Sequence, residues 1–130
     1  MKNLTSEEQV VLTVQIMDIL DGWGLSSEEI ITLIALPEKT PLRALRRYRE
    51  NTAFPVSPEL EERISHIMGI TDALRTSYPH NPQMGKMWMK QKSKKLNNKI
   101  PVQILKEEGY EGLIEMRKHL DCSYDWRKNP

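Results

Sequence analysis

An all-α fold is the expectation, and three features of the sequence raise it. Apolar residues recur at intervals of three and four. Thr40-Pro41, Ser57-Pro58 and Asn81-Pro82 each set a proline behind a good N-cap, where a helix tolerates its missing N–H. Alternating β-branched runs are absent, and the 130 residues include only five valines.

The first helix is predicted from about Glu7 to Leu20. Thr5 and Glu8 have capping-box spacing, Gly22 offers a stop, and Val10, Val14, Met17 and Leu20 share a face. The second begins after Ser26, with Glu29 completing another capping box, and stops before Pro37. Ile30, Leu33 and Ile34 form its inner face. The third is short, Pro41 to Glu50, with Leu42 and Leu45 inward and Arg43, Arg46, Arg47 and Arg49 outward.

A fourth helix follows Ser57 and buries Leu60, Ile64, Ile67, Met68 and Leu74, ending at Tyr78-Pro79. A fifth starts near Pro82, with Met84, Met87 and Trp88 on one face as core or, alternatively, as an interface. Residues 90–99 read as a polar loop. Pro101 to about Lys106 forms a short helix stopped by Gly109, and Tyr110 to Leu120 the last one. Cys122 to Pro130 reads as an irregular tail. The polar turn at Tyr78 to Pro82 suggests two parts, 1–79 and 80–130.

The composition, 38% hydrophobic and 28% charged, suits a folded chain with its own core. No run approaches the ~20 apolar residues of a membrane span, and the N-terminus lacks the apolar stretch of a signal peptide. A lone cysteine, Cys122, excludes an internal disulfide and fits a cytoplasmic location. The net charge of +1 is a sum of opposed blocks. Residues 1–38 hold one base and seven acids, whereas 39–51 hold five bases and one acid. Residues 82–99 hold six lysines and no acid.

Catalytic chemistry has little basis in this sequence. His66, His80 and His119 have no metal-ligand spacing, and His66 falls on the polar side of its helix as a solvated residue. Adjacent glutamates such as Glu28-Glu29 and Glu61-Glu62 diverge on a helix and do not converge as an acid–base pair. Neither a phosphate loop nor a Gly-x-Ser-x-Gly elbow is present. No metal, cofactor or enzymatic activity is expected.

The second and third helices have the layout of a helix–turn–helix unit, whose second helix enters the DNA major groove. Lys39, Thr40, Arg43, Arg46, Arg47 and Arg49 are the candidate DNA-binding residues, with Thr40 as the N-cap. Arginine reads guanine bidentately and also grips phosphate. The competing reading is a solvated basic helix in a bundle. Pro37 stands in the turn where glycine is common. The lysines Lys86, Lys90, Lys92, Lys94, Lys95 and Lys99 either touch phosphate or only solubilise. The tail aromatics Tyr124 and Trp126 either anchor a partner or fold back on the core.

A longer series of motifs carries a resemblance. It opens with Asp21-Gly22-Trp23-Gly24-Leu25-Ser26 and continues with Leu60-Glu61-Glu62-Arg63-Ile64-Ser65-His66-Ile67-Met68-Gly69-Ile70. Ala73-Leu74-Arg75-Thr76-Ser77-Tyr78-Pro79, a Trp88 segment and the Pro101 turn follow. Gly109-Tyr110-Glu111-Gly112-Leu113 and Met116-Arg117-Lys118-His119-Leu120-Asp121-Cys122 close the series. In this order the sequence resembles the Xre/MbcA/ParS antitoxin family of bacterial type II toxin–antitoxin systems. The resemblance implies an Xre-like helix–turn–helix domain over 1–79 and a helical toxin-binding domain with a C-terminal tail over 80–130. It also implies a non-enzymatic antitoxin that covers the active site of an NAD-targeting toxin, of RES or ADP-ribosyltransferase-like type. Such a protein represses its own operon by binding operator DNA as a homodimer or larger complex.

Carried onto this chain, the DNA-reading helix falls on Thr40, Arg43, Arg46, Arg47 and Arg49. Toxin binding falls on Tyr124, Asp125, Trp126 and Arg127. One departure is Asn97-Asn98-Lys99, where the family often has a Gly-Gly-Arg-type turn. Asparagine tolerates the positive φ such a turn needs. The alternative is a stand-alone regulator whose C-terminal part only dimerises.

Overall fold

A computed structural model of the chain describes the backbone of residues 3–128, and their side chains except those of Pro82, Lys95 and 122–128. Among the described residues the fold is all-α. The helices are α1 (Ser6–Gly22), α2 (Ser27–Leu33), α3 (Leu42–Glu50), α4 (Pro58–Ser77), α5 (Pro82–Lys90), α6 (Pro101–Glu108) and α7 (Tyr110–Lys128). One 3-10 turn, Lys94–Leu96, lies between α5 and α6. None of these helices is long and apolar enough to cross a membrane. The chain divides into two compact units, Met1–Ile64 and Ser65–Pro130, so the turn at Tyr78 to Pro82 lies inside the second.

In the first unit both capping boxes form. Thr5 and Ser26 accept hydrogen bonds from the Glu8 and Glu29 amides, and each glutamate accepts one back from the cap N–H. The bonds from Thr5, backbone first, hold the Glu8 carboxyl below its ordinary pKa. α1 buries Thr13, Ile16, Met17 and Leu20. Thr13 is fully buried and makes two hydrogen bonds through one hydroxyl. It donates to the Gln9 carbonyl at 2.8 Å and accepts from the Phe54 amide at 3.0 Å. This ties the segment after α3 to the middle of α1. Phe54 is buried there, with Tyr48 of α3 against it edge-on at 5.1 Å.

The helix ends follow one rule twice. After α1, Leu25 N–H donates to Leu20 O and Gly24 N–H to Asp21 O, with Gly24 at φ 84°. After α2, Leu36 N–H donates to Ile31 O and Ala35 N–H to Thr32 O, with Ala35 at φ 59°. Both are Schellman endings, which need a left-handed residue just past the cap. Gly22 is therefore the last helical residue of α1, and Gly24 makes the turn.

In the second unit α6 and α7 approach closely. A Cβ on Gly112 would lie 3.0 Å from the Ile104 carbonyl oxygen, so glycine is what the contact permits. Ile104, Leu105, Leu113 and Met116 fill this part of the core. The segment predicted as a loop is closed on itself. Ser93 N–H donates to Lys99 O and Asn98 N–H to Ser93 O. Asn97 and Asn98 take φ 57° and 63°, the left-handed pair of a type I′ turn.

Four sequence expectations are corrected in the two units. Leu42 is not inward: it is the first residue of α3 and is exposed, because the helix is held through its later turns at Leu45 and Tyr48. In α5 the inward residue is Met89, whereas Met84 and Met87 are exposed and Trp88 is half-buried. A Cβ at Gly85 would meet Leu74 of α4 at 3.4 Å, so the inward side of α5 includes a glycine as well as Met89, and the glycine is invisible to a count of apolar residues. His66 is half-buried rather than solvated. Its Nδ1 is 3.2 Å from Arg117 Nη1, and its ring meets Tyr110 edge-on. Residues 122–128 are not an irregular tail, since α7 continues to Lys128; residues 129–130 of that expected tail lie outside the described residues. No glycine or proline occurs between Gly112 and Pro130 to stop it.

The two-bond role of Thr13 gives a direct test. Thr13→Val keeps the shape but leaves the Phe54 amide buried without an acceptor. Urea unfolding should show a loss of about 1–3 kcal/mol. Hydrogen exchange at the Phe54 amide should accelerate more than exchange in α2.

Candidate nucleic-acid interface

The candidate site is built on α2, the turn after it, and α3. α2 is only seven residues long, too short to persist without external contacts. Its last turn has no basic residue of its own. Arg63 of α4 supplies one, donating from Nη1 to the Thr32 and Leu33 carbonyls at 3.1 and 3.0 Å. A guanidinium at this end satisfies carbonyls that the helix leaves open and opposes the negative pole of its dipole. Ile30, Leu33 and Ile34 then face the core as expected.

Eight residues separate α2 from α3. Within them, Pro37 O accepts from the Thr40 backbone N–H and from the Thr40 hydroxyl. The N-cap of α3 is Pro41, not Thr40, and no side chain caps the helix. The hydroxyl expected to cap α3 is therefore spent inside the turn. A cleft of about 360 Å³ opens beside this turn, lined by Glu28, Ile31, Thr32, Ala35, Leu36 and Glu38. Two of its lining residues are acidic and three are apolar.

The four arginines of α3 fall into distinct environments. Arg49 forms a bidentate pair with Asp21 of α1, Nε to Oδ2 at 2.8 Å and Nη2 to Oδ1 at 3.0 Å. Asp21 holds the Arg49 guanidinium protonated still more firmly than usual. Its fork is filled by a carboxylate, so Arg49 fastens α3 to α1. Arg46 lies 3.6 Å from Glu50 one turn on, both well exposed, a pair that contributes little. Arg43 and Arg47 are exposed, and among the described residues no hydrogen bond or ion pair engages their side chains. Residues 43, 46 and 47 share one helical face by their i, i+3, i+4 spacing. Lys39 is exposed on the turn before them.

Sequence reasoning grouped Arg49 with the readers because Asp21 is 28 residues away and nothing local marks the pair. It also missed Arg63. A lone arginine on the fourth helix gives no hint that it completes the second.

The other expected site residues are elsewhere. Tyr124, Asp125, Trp126 and Arg127 belong to the last turns of α7, and their side chains lie outside the described residues. Lys86, Lys90, Lys92, Lys94 and Lys99 are exposed on and after α5, while the Lys95 side chain lies outside the description. Among the described residues no group of three or more histidine, cysteine, aspartate or glutamate side chains could hold a metal ion.

The turn geometry carries its own prediction. Ala35 occupies a left-handed position that costs a residue with a Cβ about 1–2 kcal/mol, a cost glycine escapes. Part of that gain is offset by the greater freedom of glycine in the unfolded chain. Ala35→Gly should stabilise the protein by about 1 kcal/mol in chemical denaturation. Thr32→Gly, inside α2, should instead destabilise it, by about 0.3 kcal/mol. Compared with known proteins, the chain finds no matching family model, no matching curated protein and no matching solved structure.

Proposed function

We propose that this chain is a non-enzymatic antitoxin that binds operator DNA through α3 and a partner toxin through its C-terminal helix. The observation that carries the DNA half is the exposed triad Arg43, Arg46 and Arg47. It sits on one face of a short helix that follows α2 in helix–turn–helix order. Phosphate and guanine edges are the partners such a face suits best. Lys39, exposed on the preceding turn, extends the same basic surface. Thr40 and Arg49 have internal partners and act by holding the turn and the helix in place.

The toxin half rests on the sequence resemblance to the Xre/MbcA/ParS antitoxins. The residues assigned to toxin contact, Tyr124 to Arg127, lie on the end of a long helix rather than on a loose tail. A helix end with two aromatic residues suits insertion into a concave active site, because aromatic anchors carry much of the energy of small interfaces. The toxin is proposed to act on NAD, and the antitoxin to work from the cytoplasm as a homodimer or in a larger complex with it.

Two experiments test the two halves separately. Electrophoretic or fluorescence titration against the DNA upstream of the gene should give an affinity that falls with salt. The slope should be about −0.9 per phosphate contact in log K against log salt. The Arg43→Ala, Arg46→Ala, Arg47→Ala triple variant should lose this binding while keeping its helical circular dichroism. Unchanged binding would refute the assignment of α3. For the toxin half, the full chain should restore growth to cells expressing the neighbouring gene product, and a chain lacking residues 122–130 should not. The truncated chain should still bind DNA, since the α3 unit is untouched. Growth inhibition that neither protein relieves would refute the antitoxin reading.

A further inference from the structure

The exposed face of α3 carries an apolar residue that its arginines do not explain. Leu42 is the first residue of α3 and is 61% exposed, the highest value among the large hydrophobic residues described as exposed. Three residues on, Leu45 is fully buried, so α3 has its core contact without Leu42. Leu42 precedes Arg43 and stands one turn before Arg46. It therefore lies at the N-terminal end of the arginine-bearing surface. Pro41, also exposed, precedes it, so α3 opens on two exposed apolar residues before its first guanidinium at Arg43.

This placement has a specific meaning if α3 enters the major groove. In helix–turn–helix proteins the N-terminal residues of the second helix face the base edges. A leucine there has no donor or acceptor, so it can neither grip phosphate nor read a hydrogen-bonding edge. The major groove displays one prominent apolar group for it, the 5-methyl of thymine. An exposed leucine elsewhere on the surface would need no explanation. At this position it lies beside the residues assigned to phosphate and guanine contact.

We infer that Leu42 is a specificity-determining residue that contacts the 5-methyl group of a thymine in each DNA half-site, next to the contacts of Arg43 and Arg46. The inference rests on the DNA-binding reading of α3. It makes thymine the preferred base at that step, and it sets one apolar contact at the head of the helix beside the basic contacts that begin at Arg43.

The test removes the methyl group and nothing else. Full-length protein is used to select duplexes from a randomised pool, and each thymine of the selected site is replaced singly by uracil. Affinities are measured by fluorescence anisotropy at fixed salt. One thymine per half-site should show a loss of about fourfold on replacement, the factor that burial of one methyl-sized group corresponds to. Leu42→Ala should bind the thymine duplex as weakly as the unaltered protein binds the uracil duplex, and should show no further loss with uracil. Its salt slope should match that of the unaltered protein, because all three arginines remain. Circular dichroism confirms that this surface variant is folded. A flat uracil scan, or an equal uracil effect in Leu42→Ala, overturns the inference while leaving DNA binding standing. A pool that yields no enriched duplex, with the triple arginine variant indistinguishable from the parent, overturns the DNA-binding reading and this inference with it.

Discussion

Burial of Leu45 against the first unit's core is the constraint on which the rest of the α3 surface depends. α3 has nine residues, four of them arginine, and Leu45 is its one fully buried side chain. A helix with so little apolar surface has weak intrinsic hold on a core. Its orientation is fixed because other contacts agree with Leu45. Arg49 is clasped by Asp21, Tyr48 meets Phe54, and the Phe54 amide is held by Thr13. Each contact runs back to α1 or to the chain segment fastened to it. Together they select which arginines are consumed in folding and which are left to solvent. An exposed ion pair alone is worth about 0–1 kcal/mol, so the Asp21–Arg49 pair contributes direction more than stability. The apolar contact supplies the energy and the bidentate fork supplies the rotation about the helix axis.

The same unit treats its two short connections in parallel ways with different residues. Gly24 and Ala35 both occupy the left-handed position of a Schellman ending. Glycine does so without steric cost, and alanine does not. The α2 ending is thus the strained one, and it is also the one reinforced from outside, by the Arg63 bonds to Thr32 and Leu33. Those bonds tie the C-terminal turn of a seven-residue helix to α4. The turn between the two proposed DNA-facing helices is therefore set by a residue distant in sequence, not by turn chemistry alone.

What could be read from the sequence was what local chemistry dictates. Capping boxes at Thr5 and Ser26, proline at the start of α5 and α6, and tolerance of positive φ at Asn97 and Asn98 all depend on residues within four positions of each other. Features that escaped depend on distant partners or on missing side chains. Gly85 hides the inward face of α5, because a periodicity count weighs only apolar side chains. His66 reads as polar surface until Arg117, 51 residues away, is placed beside it. The α3 arginines look equivalent in sequence, and only Asp21 separates Arg49 from the others. The end of α7 escaped for another reason. Its residues lack a clear apolar period, yet nothing among them breaks a helix.

The near-zero net charge gains meaning from this arrangement. A chain coated with positive charge binds polyanions everywhere, through the counterions it displaces. Here the exposed arginines Arg43, Arg46 and Arg47 share one face of α3, with Lys39 on the turn before them, while Glu28 and Glu38 line the cleft beside that turn. On the proposed reading, three arginines give one α3 helix few phosphate contacts, and nonspecific affinity rises with each contact added. A single copy would then hold DNA weakly and lean on base contacts for selection. Two copies related by a twofold axis would double the contacts while keeping the acidic flanks that oppose sliding onto unrelated sequence. Under that arrangement discrimination resides in the few side chains that meet base edges, which is why an apolar residue at the head of α3 carries more weight than its size suggests.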